Sequence, residues 1–198
     1  MSLHADALSV LRGWRPPSAE QDTSRERYVT HLASHADAMT RDCYPDHLTA
    51  STLVLSTDAT RVLLTLHAKA QRWFQLGGHC EPGDTSLAGA AEREAIEESG
   101  IAGVRVDPEP LQLSEHGVPF CDPRGAVHHL DVRFLAVVAD DERHAVSDES
   151  LDVRWWPVDA LPNDDLAEMV ALALARVGQS ASSSGGGSSR AALDQPSR

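Results

Sequence analysis

Residues 76–100, LGGHCEPGDTSLAGAAEREAIEESG, constrain this chain more than any other stretch. A glycine-rich segment feeds a helix-forming run that opens at Asp84 or Thr85 and stops at Gly100. At about 100° per residue, Glu94 and Glu98 differ by about 40° in direction and Glu97 lies about 60° from Glu94, so the three share an arc of about 100°. Glu92 points nearly opposite and reads as solvated. Like charges one turn apart cost a helix about 0.2–0.5 kcal/mol per pair. The three carboxylates therefore either face open water, the usual fate of a charge run, or hold something positive. Carboxylate oxygens suit hard divalent cations, Mg²⁺ above all when phosphates complete the shell. A solvated face leaves the upstream glycines unexplained. Gly77, Gly78 and Gly83 open backbone conformations closed to other residues, so loop and helix can bring backbone oxygens and carboxylates to one cation.

The flanking segments change period along the chain. Residues 1–45 read as a helical arm. HADALSVLRGW forms a short helix stopped by Pro16-Pro17, and a second helix places Tyr28, Leu32 and Ala36 on one stripe. Ser18 and Gln21 have capping-box spacing. Residues 46–177 read as one domain. TASTLVLS and TRVLLTLH are strands joined by a turn at Asp58-Ala59, and QRWFQLGG is a short strand running into a glycine turn. In VHHLDVRFLAVV, Leu130, Val132, Phe134 and Ala136 lie on one side, with His129, Asp131 and Arg133 on the other. SLDVRWWPV is a further strand, and NDDLAEMVALALARVG is an amphipathic helix capped by Asn163. The fold class is α/β with a mixed sheet. From Gly178 to Arg198 the Ser/Gly-rich tail has too little apolar surface to fold and reads as disordered.

A net charge of −13 argues against nonspecific binding of nucleic acid or an anionic membrane. It leaves a small anionic substrate open, because a bound cation inverts the local field. The three cysteines, Cys43, Cys80 and Cys121, match neither a zinc spacing nor a disulfide framework, which points to a reducing cytoplasm. No signal peptide is evident, and no apolar run approaches the roughly 18 residues needed to span a bilayer.

With these residues in view, GGHCEPGDTSLAGAAEREAIEESGI resembles the Nudix box of the Nudix (MutT-like) hydrolases. Its second half, Arg93-Glu94-Ala95-Ile96-Glu97-Glu98-Ser99-Gly100-Ile101, matches that pattern throughout. The first half departs from it. Asp84 stands where the family has glutamate, and eight residues rather than seven separate it from Arg93. The extra residue leaves the Glu94–Glu98 geometry intact. The resemblance covers residues 46–177 and is similar to a bacterial subgroup with an N-terminal helical arm. It implies a Nudix fold, a mixed sheet sandwiched between helices.

The resemblance further implies attack of water on phosphorus in a nucleoside diphosphate linked to another group, with Mg²⁺ or Mn²⁺. It makes Glu97 and Glu98 metal ligands, with the Gly77 carbonyl as a further contact. Glu94 binds metal, or acts as or orients the general base. Arg93 pairs with a box carboxylate. The base in this superfamily lies in the box or in a loop near the C-terminus, where Asp148 and Glu149 are the candidates, Glu149 ahead of Asp148. The partner is a small nucleotide-type molecule, and the resemblance leaves a homodimer open. The alternative reading is a regulatory, nucleotide-sensing domain without hydrolysis. Isomerase chemistry on a diphosphate-bearing lipid precursor has little support.

Outside the box, His79 contacts phosphate or caps its turn, and Glu81 assists the metal or, as the favoured reading, only forms the turn. His67 and Lys69 are candidates for substrate phosphates. His129 and Arg133, with Asp131, are candidates for a pocket face, against a merely structural polar face. His128 points away from His129 and Asp131, so these three make no single metal site. Trp73, Trp155 and Trp156 read as core rather than base-stacking, and Cys80 as inert.

Overall fold

Every residue of strand β1 (Asp46–Ser56) after Asp46 is buried. A strand covered on both faces needs no polar alternation, and the run through Leu48, Ala50 and Leu53-Val54-Leu55 carries little of it. β1 pairs in parallel with β6 (Gly125–Val138) along its whole length, from Asp46 opposite His128 to Ser56 opposite Val138. Its other edge is shared. Thr49–Thr52 pair antiparallel with β4 (Leu76–His79), and Val54-Leu55 with β2 (Arg61–His67). β2 continues the sheet to β3 (Arg72–Phe74) and β7 (Ser150–Pro157), and β6 to β5 (Gln112–Asp122). This computed structural model describes residues 1–139 and 150–184.

Helices cover both faces. On one, α1 (Leu3–Gly13), α2 (Ala19–Ser34) and α3 (Leu87–Ser99) pack Leu11, Tyr28, Leu32, Leu87 and Ala90 against Leu48, Ala50, Leu130, Val132 and Phe134. On the other, α4 (Ala167–Ser184) sets Met169, Val170 and Ala173 against Leu53, Leu55, Leu64 and Leu135. The even positions of β1 serve the first face and the odd positions the second, as the pleat requires. The mixed α/β sheet between helices is the expected fold class.

The two N-terminal helices are core elements. Burying a leucine such as Leu11 or Leu32 stabilises by about 1.5–3 kcal/mol, and both are essentially inaccessible. Ser18 caps α2 by accepting from the Gln21 amide. The Gln21 side chain does not return to Ser18. Its amide instead donates to the Leu113 carbonyl and accepts from the Leu113 N–H, extending the β5 edge like a one-residue strand. Ala36 lies beyond the end of α2 and is exposed, so the helical stripe stops at Leu32.

Four elements differ from the sequence expectation. QRWFQLGG is two short strands, and Gly77-Gly78 lie inside β4 rather than in a turn, because β1 offers them a ladder. β5 was not expected, since Gly117 and Pro119 interrupt its pattern. Asn163 makes no cap; its side chain donates to the Trp73 carbonyl, and a 3₁₀ turn, Asp164–Leu166, leads into α4. α4 also continues past Gly178 to Ser184.

Candidate active site

β4 and α3 build the site together. Ser86, not Asp84 or Thr85, is the N-cap of α3, accepting from the Gly89 amide. Asp84 has a different role. Its two carboxylate oxygens take the Nε and Nη2 donors of Arg93 at 3.1 and 3.0 Å, and one also accepts from the Glu81 amide. Arg93 Nη1 donates to Glu94 and to Glu97, each at 3.0 Å, and Nη2 donates to the His79 carbonyl. One guanidinium thus ties the loop to two of the three clustered glutamates. Burial alone would raise the Asp84 pKa, but the Arg93 hydrogen bonds hold it below the ordinary carboxylate value. Asp84 in turn is the main reason that Arg93 is held more firmly in its charged form.

Glu98 is positioned separately, its Oε2 accepting from the Gly77 amide at 2.8 Å. Gly77 is sterically required, whereas Gly78 faces only the movable end of a side chain. A Cβ on Gly77, whose φ is +152°, would lie 2.3 Å from Ser51 Cβ and 2.5 Å from Ser51 Cα. A Cβ on Gly78 would lie 2.9 Å from Glu94 Oε2. Glu94, Glu97 and Glu98 therefore line one open cleft of about 1120 Å³ with Gly78, His79 and Asp84. Among the described residues the three carboxylates gather on Arg93 and Gly77 rather than on a common point, and the tight groups of ligand atoms lie elsewhere. Glu92 is not simply solvated. It faces away from the cleft, where its carboxylate accepts from the Val106 amide and lies 3.6 Å from Arg105.

The opposite wall of the cleft comes from the N-terminal region. Residues 1–4 and the connection from α2 to β1 line it, with Met39, Thr40 and Arg41 foremost. Sequence reasoning missed these residues. The apolar stripe of α2 shows that the helix packs, but nothing in it names the surface it packs on. The one signal was the cation, Arg41, just before a strand in a strongly acidic chain.

The other sequence candidates are placed elsewhere. Of His79, His67, Lys69, His129 and Arg133, His79 alone lines this cleft. His67 closes the β2–β3 turn by accepting from the Lys69 and Ala70 amides, and packs edge-on against Phe74. Arg133 donates to Asp131 and Gln112, and Asp131 also accepts from Thr49, Ser51 and Gln75. Burial pushes Asp131 up, but Arg133 and its other neighbours outweigh this and keep it ionised. This polar face lies on the side of the sheet away from α3. His129 turns to Cys121 at 3.3 Å. Burial, with neighbouring imidazoles, pulls His129 down to about 3 and His79 to about 2, so both are neutral near pH 7. Burial pushes the Cys80 thiol up to about 12. Trp73 and Trp156 meet edge-to-face at 5.2 Å beneath α4, and Trp155 joins the apolar cluster around Val54. Asp148 and Glu149 lie outside the described residues.

A family model described as the NUDIX domain matches residues 45–176. The chain belongs to the NUDIX family. Membership in this family supports a pyrophosphohydrolase. The Nudix fold recurs in solved structures. A NUDIX-family hydrolase from Clostridium perfringens superposes with a TM-score of 0.52 at 22% identity, over 66% of this chain and 97% of its own. The NUDIX domain of Shewanella oneidensis NrtR, complexed with ADP ribose, gives 0.53 at 19% identity, over 75% and 97%. The C. elegans Ap4A hydrolase binary complex gives 0.52 at 15%, over 67% and 98%. No curated protein matches the Nudix chain in sequence.

Proposed function

We propose that this Nudix protein hydrolyses the pyrophosphate linkage of a nucleoside diphosphate joined to a second group, of the nucleotide, nucleotide-sugar or ADP-ribose type, with Mg²⁺ or Mn²⁺. The observation that carries this reading is the array of Glu94, Glu97 and Glu98 along one cleft wall, two of them steadied by Arg93 and the third by the Gly77 amide. The fit to a divalent cation is good in donor chemistry. Each carboxylate supplies hard oxygen donors, and Gly78 carries no side chain where Glu94 sits. Glu94, Glu97, Glu98 and the Gly77 carbonyl would hold the ion. When bound, it neutralises phosphate charge and makes a coordinated water acidic enough to attack near neutral pH.

The protein's own groups do the rest. Arg93 keeps Glu94 and Glu97 in place by hydrogen bonds whose geometry Asp84 sets. Glu94 takes the proton of the attacking water if it lies within hydrogen-bond reach of it. Glu149 is the external candidate for that role. Arg41, exposed on the facing wall, supplies positive charge to a phosphate entering the cleft.

The test is to incubate the full chain with Mg²⁺ and a panel of nucleoside triphosphates, ADP-ribose, dinucleoside polyphosphates and NADH. Metal-dependent release of a mononucleotide from a member of the panel is expected. Nucleotides that raise the melting temperature yet stay intact for hours would reverse the reading in favour of a sensing domain.

A further inference from the structure

On the sheet face away from α3, three imidazoles and a thiol converge from four different strands. They are His47 on β1, His79 on β4, Cys121 on β5 and His129 on β6. One ligand atom from each lies within 4.8 Å of all the others. The His47 and His79 Nε2 atoms are 3.1 Å apart, Cys121 Sγ is 3.4 Å from His79 Nε2 and 3.9 Å from His47 Nε2, and His129 Nε2 is 3.3 Å from Cys121 Sγ. Zinc bonds of about 2.0–2.1 Å to nitrogen and about 2.3 Å to sulfur, arranged tetrahedrally, require donor separations of about 3.3–3.6 Å. Four of the six donor separations therefore already stand near the edges of such a tetrahedron, and the other two are within 4.8 Å. From this we propose that His47, His79, Cys121 and His129 form a transition-metal centre of the zinc class, distinct from the three-glutamate array and sharing only His79 with the lining of the cleft.

The surroundings favour coordination. His47 Nδ1 faces the Cys43 carbonyl at 3.3 Å, which makes Nδ1 the protonated nitrogen and leaves the Nε2 lone pair on the cluster. That is the arrangement by which second partners orient metal-bound imidazoles. Imidazole and thiolate ligands select zinc-like ions over the Mg²⁺ that carboxylates prefer. The other group of convergent ligands, Asp46, Glu115 and His128, is a different case, because the Arg27 guanidinium already pairs with both of its carboxylates. One contact must change on loading. Arg41 donates to His79 Nδ1 at 2.9 Å, whereas an Nε2-coordinated imidazole carries its proton on Nδ1. Arg41 is exposed and can withdraw.

Four protein ligands leave no open position, so the centre is structural. It would clamp β4 to β1, β5 and β6 at the residue next to Gly78, which faces Glu94 across the strand. Loading would thereby stiffen the strand that supports the catalytic carboxylates.

The test uses full-length protein without a polyhistidine tag. Elemental analysis of the purified chain should find about one zinc per chain, surviving dialysis against Mg²⁺. After chelation, Co²⁺ should give the intense visible bands of a tetrahedral ion and a thiolate-to-metal charge-transfer band. Cys121→Ser should remove that charge-transfer band and weaken binding by more than about tenfold, with circular dichroism unchanged. A Glu97→Gln/Glu98→Gln double variant should keep both the metal and the spectrum, which separates this centre from the cleft ion. Absence of zinc together with no tetrahedral Co²⁺ spectrum would overturn the proposal. So would a spectrum indifferent to Cys121→Ser, or one lost in the double glutamate variant.

Discussion

Single atoms decide much of this site. Gly77 and Gly78 are adjacent in β4, yet a methyl group would act differently at each. At Gly77 it would strike the Ser51 backbone with φ at +152°. We expect Gly77→Ala to destabilise by about 2–4 kcal/mol, read from denaturant unfolding. At Gly78 it would meet only the movable end of Glu94. Gly78→Ala should therefore melt within a few degrees of the parent while kcat/KM falls by about 10–100-fold, since small misplacements of a catalytic group are costly. Glu98→Gln removes a proposed cation ligand. Its turnover should fall by at least about 100-fold, with an unchanged circular dichroism spectrum; a variant of undiminished rate would reject the role.

At the level of elements, the informative contact is between α2 and β5. Gln21 satisfies both backbone groups of Leu113 in a buried setting. Gln21→Ala leaves an N–H and a carbonyl unpaired, and each such group costs about 1–3 kcal/mol. The expected loss of about 2–4 kcal/mol is measurable by urea unfolding. Gln21 matches the capping-box spacing, and half of that motif forms through Ser18. The other half was not legible, because the competing partner lies 92 residues away. The same holds for Glu92, assigned to solvent by its helical direction and in fact engaged by the Val106 amide.

Across the whole molecule, the Asp84–Arg93 pair joins the loop to the helix, and its strength depends on pH. Asp84 has a depressed pKa when folded, so it binds its proton less readily than in the unfolded chain. The stability it contributes is fully present above the unfolded value of about 3.9 and is lost as pH falls through the folded value. Asp84→Asn should cost about 1.5–3 kcal/mol at pH 7. The gap between parent and variant should then narrow below about pH 4, as followed by thermal melts. The crowded glutamates also link stability to cation. Millimolar Mg²⁺ or Mn²⁺ should raise the melting temperature of the parent more than that of a Glu97→Gln/Glu98→Gln variant, because ligand binding favours the folded state.

The sequence by itself determined the α/β class, the turn at Asp58-Ala59 with a strand on either side of it, and the crowding of three carboxylates on one arc of α3. These depend on local period and on residues at most a few positions apart. Tertiary structure alone decided what surrounds them. It made residues 1–4 and the connection from α2 to β1 a wall of the cleft, placed Asp84 on Arg93 despite the longer box, and turned His129 away from that cleft to meet Cys121. Each of these depends on strand register and helix packing between distant segments. A one-residue change in register would move every side chain to the other face, and no local pattern records the partner.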